Sequence, residues 1–220
     1  MIDKEIWWEI ISTYGQNIFP LQIITVITGA VILWLIIKKP GGKTNTIIRT
    51  YFTLCFASIG IVFFLMHGKA FPGIQEYTQA GLFITIATLF GADIFRKKIY
   101  FKLPEHRGHR IVMFLLLFAV FVYPLIGMLA GHYFPGMIIV GTHPCPTAAF
   151  ALVLLAAALP RANKLLYVLL LIWAIPFPIF IQIPKFGVYE DSIMLLCGIY
   201  ALVMLIKAMG KKNITKGNFE

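Results

Sequence analysis

The chain has 220 residues, 60% of them hydrophobic and only 13% charged. A soluble domain of this length could not hide so much apolar surface. The formal charge of +10 is spread over short loops rather than gathered into a nucleic-acid patch. Its three cysteines, Cys55, Cys145 and Cys197, form no CxxC pair, which excludes a disulfide framework or zinc finger.

Residues 1–17 place Ile6, Trp7, Ile10 and Ile11 at helical spacing, with Asp3, Glu5 and Glu9 elsewhere. Two readings fit. One is an amphipathic helix at the membrane interface with Trp7 and Trp8 at headgroup depth; the other is the first turns of a longer first helix. The stretch lacks a basic n-region, so no cleavable signal peptide is expected.

Long apolar runs then predict seven membrane spans. They cover 18–37, 46–66, 77–95, 111–130, a fifth ending at Pro160, 165–183 and 191–206. Pro176 and Pro178 should bend the sixth. No linker or repeat divides the chain, so 1–220 reads as one domain with a basic tail at 207–220. The fold class is all-α, an integral membrane bundle.

All but three of the 19 basic residues fall in alternate connecting segments; the exceptions are Lys4, Lys69 and Lys185. Most acidic residues lie on the other side. The excess of basic residues on one side predicts an external N-terminus and a cytoplasmic C-terminus. Seven spans in this orientation also describe retinal proteins. Those need a lysine in the middle of the last span, whereas Lys207 lies at its inner end.

The stretch 141–155, GTHPCPTAAFALVLL, is the place where chemistry is expected. A continuous helix is predicted to start only at Pro146. From Pro146 to Pro160 there are 15 residues, about 22 Å against a hydrocarbon core of roughly 30 Å. The turn before it, with Thr147 just inside the helix, should therefore sit below the membrane surface, in protein or a wet vestibule. Cys145 then becomes the N-cap, with its sulfur facing free N–H groups that favour a thiolate. Four readings stay open: a small buried filler, a soft-metal site formed by His143 and Cys145, a redox or nucleophilic thiol, and a polar turn lining a solute path. Cys145-Pro146 resembles the membrane motif of heavy-metal pumping ATPases in its ligand alone, since no nucleotide domain accompanies it.

Further polar residues gather at the same ends of the spans: Tyr14, Asn17, Gln22, His67, Gln75, Glu76, Gln79, His132, Glu190 and Asp191. Glu190 and Asp191 are either an acidic helix cap or a cation or proton site facing His143 and Cys145. Glu76 and Gln79 share a helix face and could line a vestibule. His67 and His132 are expected to bond loop carbonyls or water. Asp93 should pair with a nearby Arg or Lys, and Cys55 and Cys197 read as packing.

The elements Tyr14…Asn17-x-x-Pro20-x-Gln22, His67, Tyr123-Pro124-x-x-Gly127, Pro144-Cys145-Pro146-Thr147 with Phe150, Ile175-Pro176 and Glu190-Asp191 run through most of the chain. In these it resembles a bacterial family of multi-pass membrane proteins of unknown function. The resemblance implies a fold and a membrane location, and no activity.

The leading expectation is a small transporter, channel or permease component of a bacterial cytoplasmic membrane. Its outward-facing site would comprise His143, Cys145, Thr147, Glu190, Asp191, Glu76, Gln79 and His67, and would serve a soft metal cation or a proton-coupled solute. The alternatives are a membrane thiol enzyme using Cys145 with His143 as base, and a non-catalytic subunit of a complex. Against an enzyme stands the lack of a paired acid–base signature, zinc-protease motif or nucleotide loop. The expected partners are the lipid bilayer and a second copy or a membrane complex; nucleic acid is not among them.

Overall fold

The computed structural model describes residues 3–68 and 74–217, with side chains except at 74–75 and 211–217. Lys69, Gln75, Lys211, Lys212 and Lys216, which enter the expectations above, lie outside the described residues or side chains. The described residues are helical and contain no strand. Five helices are long and apolar enough to cross a membrane, or six when one bent pair counts as a span.

Helix α1 (Lys4–Asn17) is a separate helix rather than the first turns of a longer one. It stops because Pro20 has no N–H to continue the ladder, and α2 (Phe19–Lys38) restarts with that proline in its first turn. Of the expected apolar face, Trp7, Ile10 and Ile11 are buried while Ile6 is exposed. Helix α3 (Gly42–Ser58) runs straight into a π-helical stretch, Ile59–His67. Helix α4 (Ile74–Arg96) packs tightly on that stretch at Gly60, where a Cβ would lie 2.7 Å from Ile84 Cγ1.

The expected fourth span is broken. Helix α5 (Arg107–Phe121) and α6 (Tyr123–Leu129) meet at 57°, because Pro124 cannot take part in a continuous ladder. Helix α8 (Lys164–Ala174) gives way at Pro176 to a second π-helical stretch, Pro178–Phe186. That stretch closes on Gly187 in the left-handed region. Helix α9 (Asp191–Gly217) is longer than the expected seventh span.

The fifth element, α7 (Pro144–Ala157), has only 14 residues. It is the centre of the molecule: none of its residues is more than 9% exposed. Helices α3, α5, α8 and α9 surround it. Its alanines let neighbouring backbones approach, and Phe150 packs edge-on against Tyr51, Phe52 and Phe121. Outward-facing positions are the reverse. Helix α2 exposes Leu21, Ile23, Ile24, Ile27, Val31 and Trp34, a surface suited to lipid rather than water.

At the basic end, Arg49 Nε lies 2.7 Å from Asp93 Oδ2, as the expected pairing of Asp93 requires. Asp93 also accepts the N–H groups of Lys98 and Ile99. The Asn45 side chain accepts the N–H of Phe101 at 2.6 Å. These contacts tie the loop after α4 to the start of α3.

Gly141, just before α7, has φ +90. A Cβ there would lie 2.5 Å from Thr25 Cβ and 2.8 Å from the Tyr51 hydroxyl. Gly131 has a similar φ of +93 with open space around it. Gly141→Ala should therefore lower the thermal midpoint in detergent by on the order of 5–10 °C, and Gly131→Ala by clearly less. Equal shifts in a melting series would mean that the crowding at Gly141 is not felt.

Candidate functional site

The start of α7 lies in the dry interior, where a helix end is costly. Four N–H groups at a helix start normally lack intrahelical partners. Here they belong to His143, Pro144, Cys145 and Pro146. The two prolines have no N–H, and that of His143 donates to the Ile139 carbonyl at 3.0 Å. Only the Cys145 amide remains. Thr147 completes the join: its hydroxyl donates to the His143 carbonyl at 2.6 Å and accepts the Gly141 N–H at 2.8 Å.

This corrects the expected start at Pro146. Both prolines fit in the first turn, His143 is the N-cap, and Cys145 is the second helical residue. Its sulfur lies beside the Asp191 carboxyl and the Trp173 indole. His143 faces other neighbours. Its ring meets Tyr14 edge-on at 5.3 Å, with Phe63 at 6.0 Å. Among the described residues no hydrogen bond joins Cys145 to His143, two residues away in sequence. Nor is the Nδ1 lone pair of His143 free, since it accepts the Ile139 N–H at 3.1 Å. Neutral His143 then carries its proton on Nε2, which is buried without a partner.

The expected acidic pair is present and buried, with Glu190 1% and Asp191 0% exposed. Asp191 Oδ1 accepts the Tyr123 hydroxyl. Its Oδ2 and the nearby Trp173 Nε1 have no hydrogen-bond partner. Glu190 receives His132 Nδ1 at 2.9 and 3.1 Å. His132 was expected to bond loop carbonyls or water; its partner is this carboxylate. A Cβ at Gly127 would sit 2.9 Å from Glu190 Oε1, so only glycine leaves room for that carboxyl. The start of α9 and the start of α7 both turn their positive ends toward the pair, which helps two acids share a site without Lys or Arg.

Helix α1 lies across this end of the bundle. Trp7 stacks on Phe186 at 4.7 Å, and Trp8 covers the His132 ring at 3.9 Å. Trp8 Nε1 donates to the Phe186 carbonyl. Tyr14 donates to the Thr142 carbonyl at 2.9 Å. Gly15 is pressed against the Pro135 carbonyl, with a Cβ position only 2.1 Å away. The two tryptophans thus pack on the bundle.

His67, at the end of the first π-helical stretch, bonds the Val62 carbonyl through Nδ1 at 2.9 Å and Asn17 through Nε2 at 3.3 Å. It touches Tyr14 but not the carboxyl pair. Glu76 and Gln79 occupy the first turns of α4, and among the described residues no hydrogen bond joins them to Glu190, Asp191, His143 or Cys145. Sequence reasoning missed Tyr123 and Trp173 as site residues. A tyrosine followed by proline inside an apolar span was the one available signal. Among the described residues, no group of three His, Cys, Asp or Glu could hold a metal ion.

Residues 4–216 match a family of unknown function, DUF6064, and the chain belongs to it. No curated protein and no solved structure matches.

Removing the Tyr123 hydroxyl leaves Asp191 with no hydrogen-bond donor from oxygen. Tyr123→Phe should cost about 1–3 kcal/mol in detergent unfolding. On an Asp191→Asn background the same change should cost much less. Additive losses in this double-mutant cycle would show that the two groups are not coupled.

Proposed function

We propose that this protein is a seven-span transporter or permease component of a bacterial cytoplasmic membrane. In this reading its carboxyl pair couples a small solute or cation to a proton. The observation that carries it is the burial of Glu190 and Asp191 side by side, partnered by His132 and Tyr123. Ionisable groups held inside an apolar bundle are costly and persist where an ion or proton must be handled.

The seven crossings would be α2, α3 with its π-helical stretch, α4, α5–α6, α7, α8 with its π-helical stretch, and α9. The distribution of basic residues supports an external N-terminus. The polar end would then face outward, closed by α1. His132 would connect the site to the surface, its side chain 13% exposed against 0% for Glu190. A proton arriving at His132 passes to Glu190, and Asp191 takes it on the inner side, beside Cys145 and Tyr123. The breaks at Val122 and Pro176 and the two π-helical stretches supply places where the helices flex.

Two features favour a proton over a soft metal. The Nδ1 of His143 is engaged, and Cys145 has a carboxyl rather than an imidazole beside it. The same geometry weighs against a Cys145–His143 thiol enzyme, which needs the base within reach of the sulfur. A scaffold would gain nothing from two buried acids.

The test uses proteoliposomes holding a pH-sensitive dye, under an inside-negative potassium diffusion potential and with a panel of small solutes outside. The wild type should acidify the lumen. Glu190→Gln and Asp191→Asn should slow this by about tenfold or more, while Glu105→Gln, at an exposed carboxylate, should not. Equal rates in all variants, or no proton movement in the wild type under any condition, would defeat the proposal.

A further inference from the structure

A crevice of about 370 Å³ runs between α2 and α3 on the outer face of the bundle. Its lips are apolar, formed by Leu21, Ile24 and Leu54. Its walls hold hydroxyl groups, most of them bonded to backbone carbonyls. Thr25 donates to the Gln22 and Val140 carbonyls, Thr28 to Ile24, Thr46 to Gly42, and Tyr51 to Thr25. Apart from Thr50 and Ser58 its hydroxyls are engaged, and the slot presents a largely apolar lining.

A second cleft of about 440 Å³ adjoins it across Thr46 and Ile47. This one lies at the basic end and is lined by Lys43, Arg49, Lys97 and Tyr100. Arg49 is held by Asp93 and the Ile99 carbonyl. Lys43 and Lys97 are exposed and have no ion-pair partner among the described residues. Lys97 adopts a left-handed conformation, φ 52, usual for glycine. Nearby on α2, Trp34 lies under Lys39, with the nitrogen 5.8 Å from the ring. Exposed tryptophan and tyrosine beside lysines are the furniture of a membrane–water boundary.

We infer that the two clefts form one site for an anionic phospholipid. Its phosphate rests on Lys43 and Lys97, and one acyl chain lies in the α2–α3 slot. The continuity of a dry slot with a cleft holding two free cations carries the assignment. Neither cleft alone would distinguish a lipid from a passing ion or from bulk membrane. The site is separate from the carboxyl pair and does not depend on proton coupling.

The experiment is native mass spectrometry of the full chain in detergent with phosphatidylglycerol and phosphatidylcholine in equal amounts. One phosphatidylglycerol should be retained in preference, by about tenfold. Lys43→Gln with Lys97→Gln should remove the preference. Thr50→Phe, which fills the slot from its exposed wall, should weaken retention while leaving the fold intact by circular dichroism. Equal retention of both lipids in the wild type, or an unchanged preference in the double variant, would overturn the inference. So would competition by water-soluble glycerol phosphate as effective as that by the lipid, since the slot would then play no part.

Discussion

A helix that begins and ends inside the bundle governs this structure. Helix α7 has 14 residues, about 21 Å of rise, and no residue of it reaches the surface. Every polar backbone group at its start must be removed or matched within the protein. The His-Pro-Cys-Pro-Thr run does both. The two prolines remove two donors, the Ile139 carbonyl takes a third, and Thr147 stitches the incoming turn to the first helical turn, so that only the Cys145 amide is left. A sequence that reads like a reactive-cysteine motif is, in the first place, a way to start a helix away from water.

That solution has an electrostatic consequence. The positive end of α7 points into a space that α9 also enters with its N-terminus. Two carboxyl groups fill it, and their partners are neutral or weakly basic: a tyrosine, a thiol and an imidazole, with the Trp173 indole beside the thiol. Helix α1 closes the space by laying aromatic rings over it, with Gly15 allowing backbone contact against Pro135. The structure thus pairs a buried carboxyl pair, covered by α1, with breaks in the helices around it, the combination on which the proposed coupling rests.

Much of the fold is legible in the sequence, because apolar runs of span length and their basic flanks are one-dimensional signals. The proline breaks in the fourth and sixth spans belong to the same class, although only the sixth was expected to bend. The Glu190-Asp191 pair and Cys145 were visible as outliers in apolar surroundings. Their partners were not. Tyr123 and His132 meet the pair across 68 and 58 residues, and no local pattern encodes such an approach. His143 and Cys145 looked like a pair because they are two apart in sequence; on a helix start that spacing turns them toward different neighbours. The helix start itself was placed two residues late, since a proline in the third position was taken as a break although it lies within the first turn.

The covering of the carboxyl pair at the start of α7 by α1 holds this picture together. It is tested most directly by the rate at which a membrane-impermeant maleimide modifies Cys145, in protein carrying Cys55→Ala and Cys197→Ala. Modification of the folded protein should be very slow, and Gly15→Val, which pushes α1 away from Pro135, should accelerate it strongly. Rapid modification with α1 in place would contradict it, because the site would then be an open vestibule.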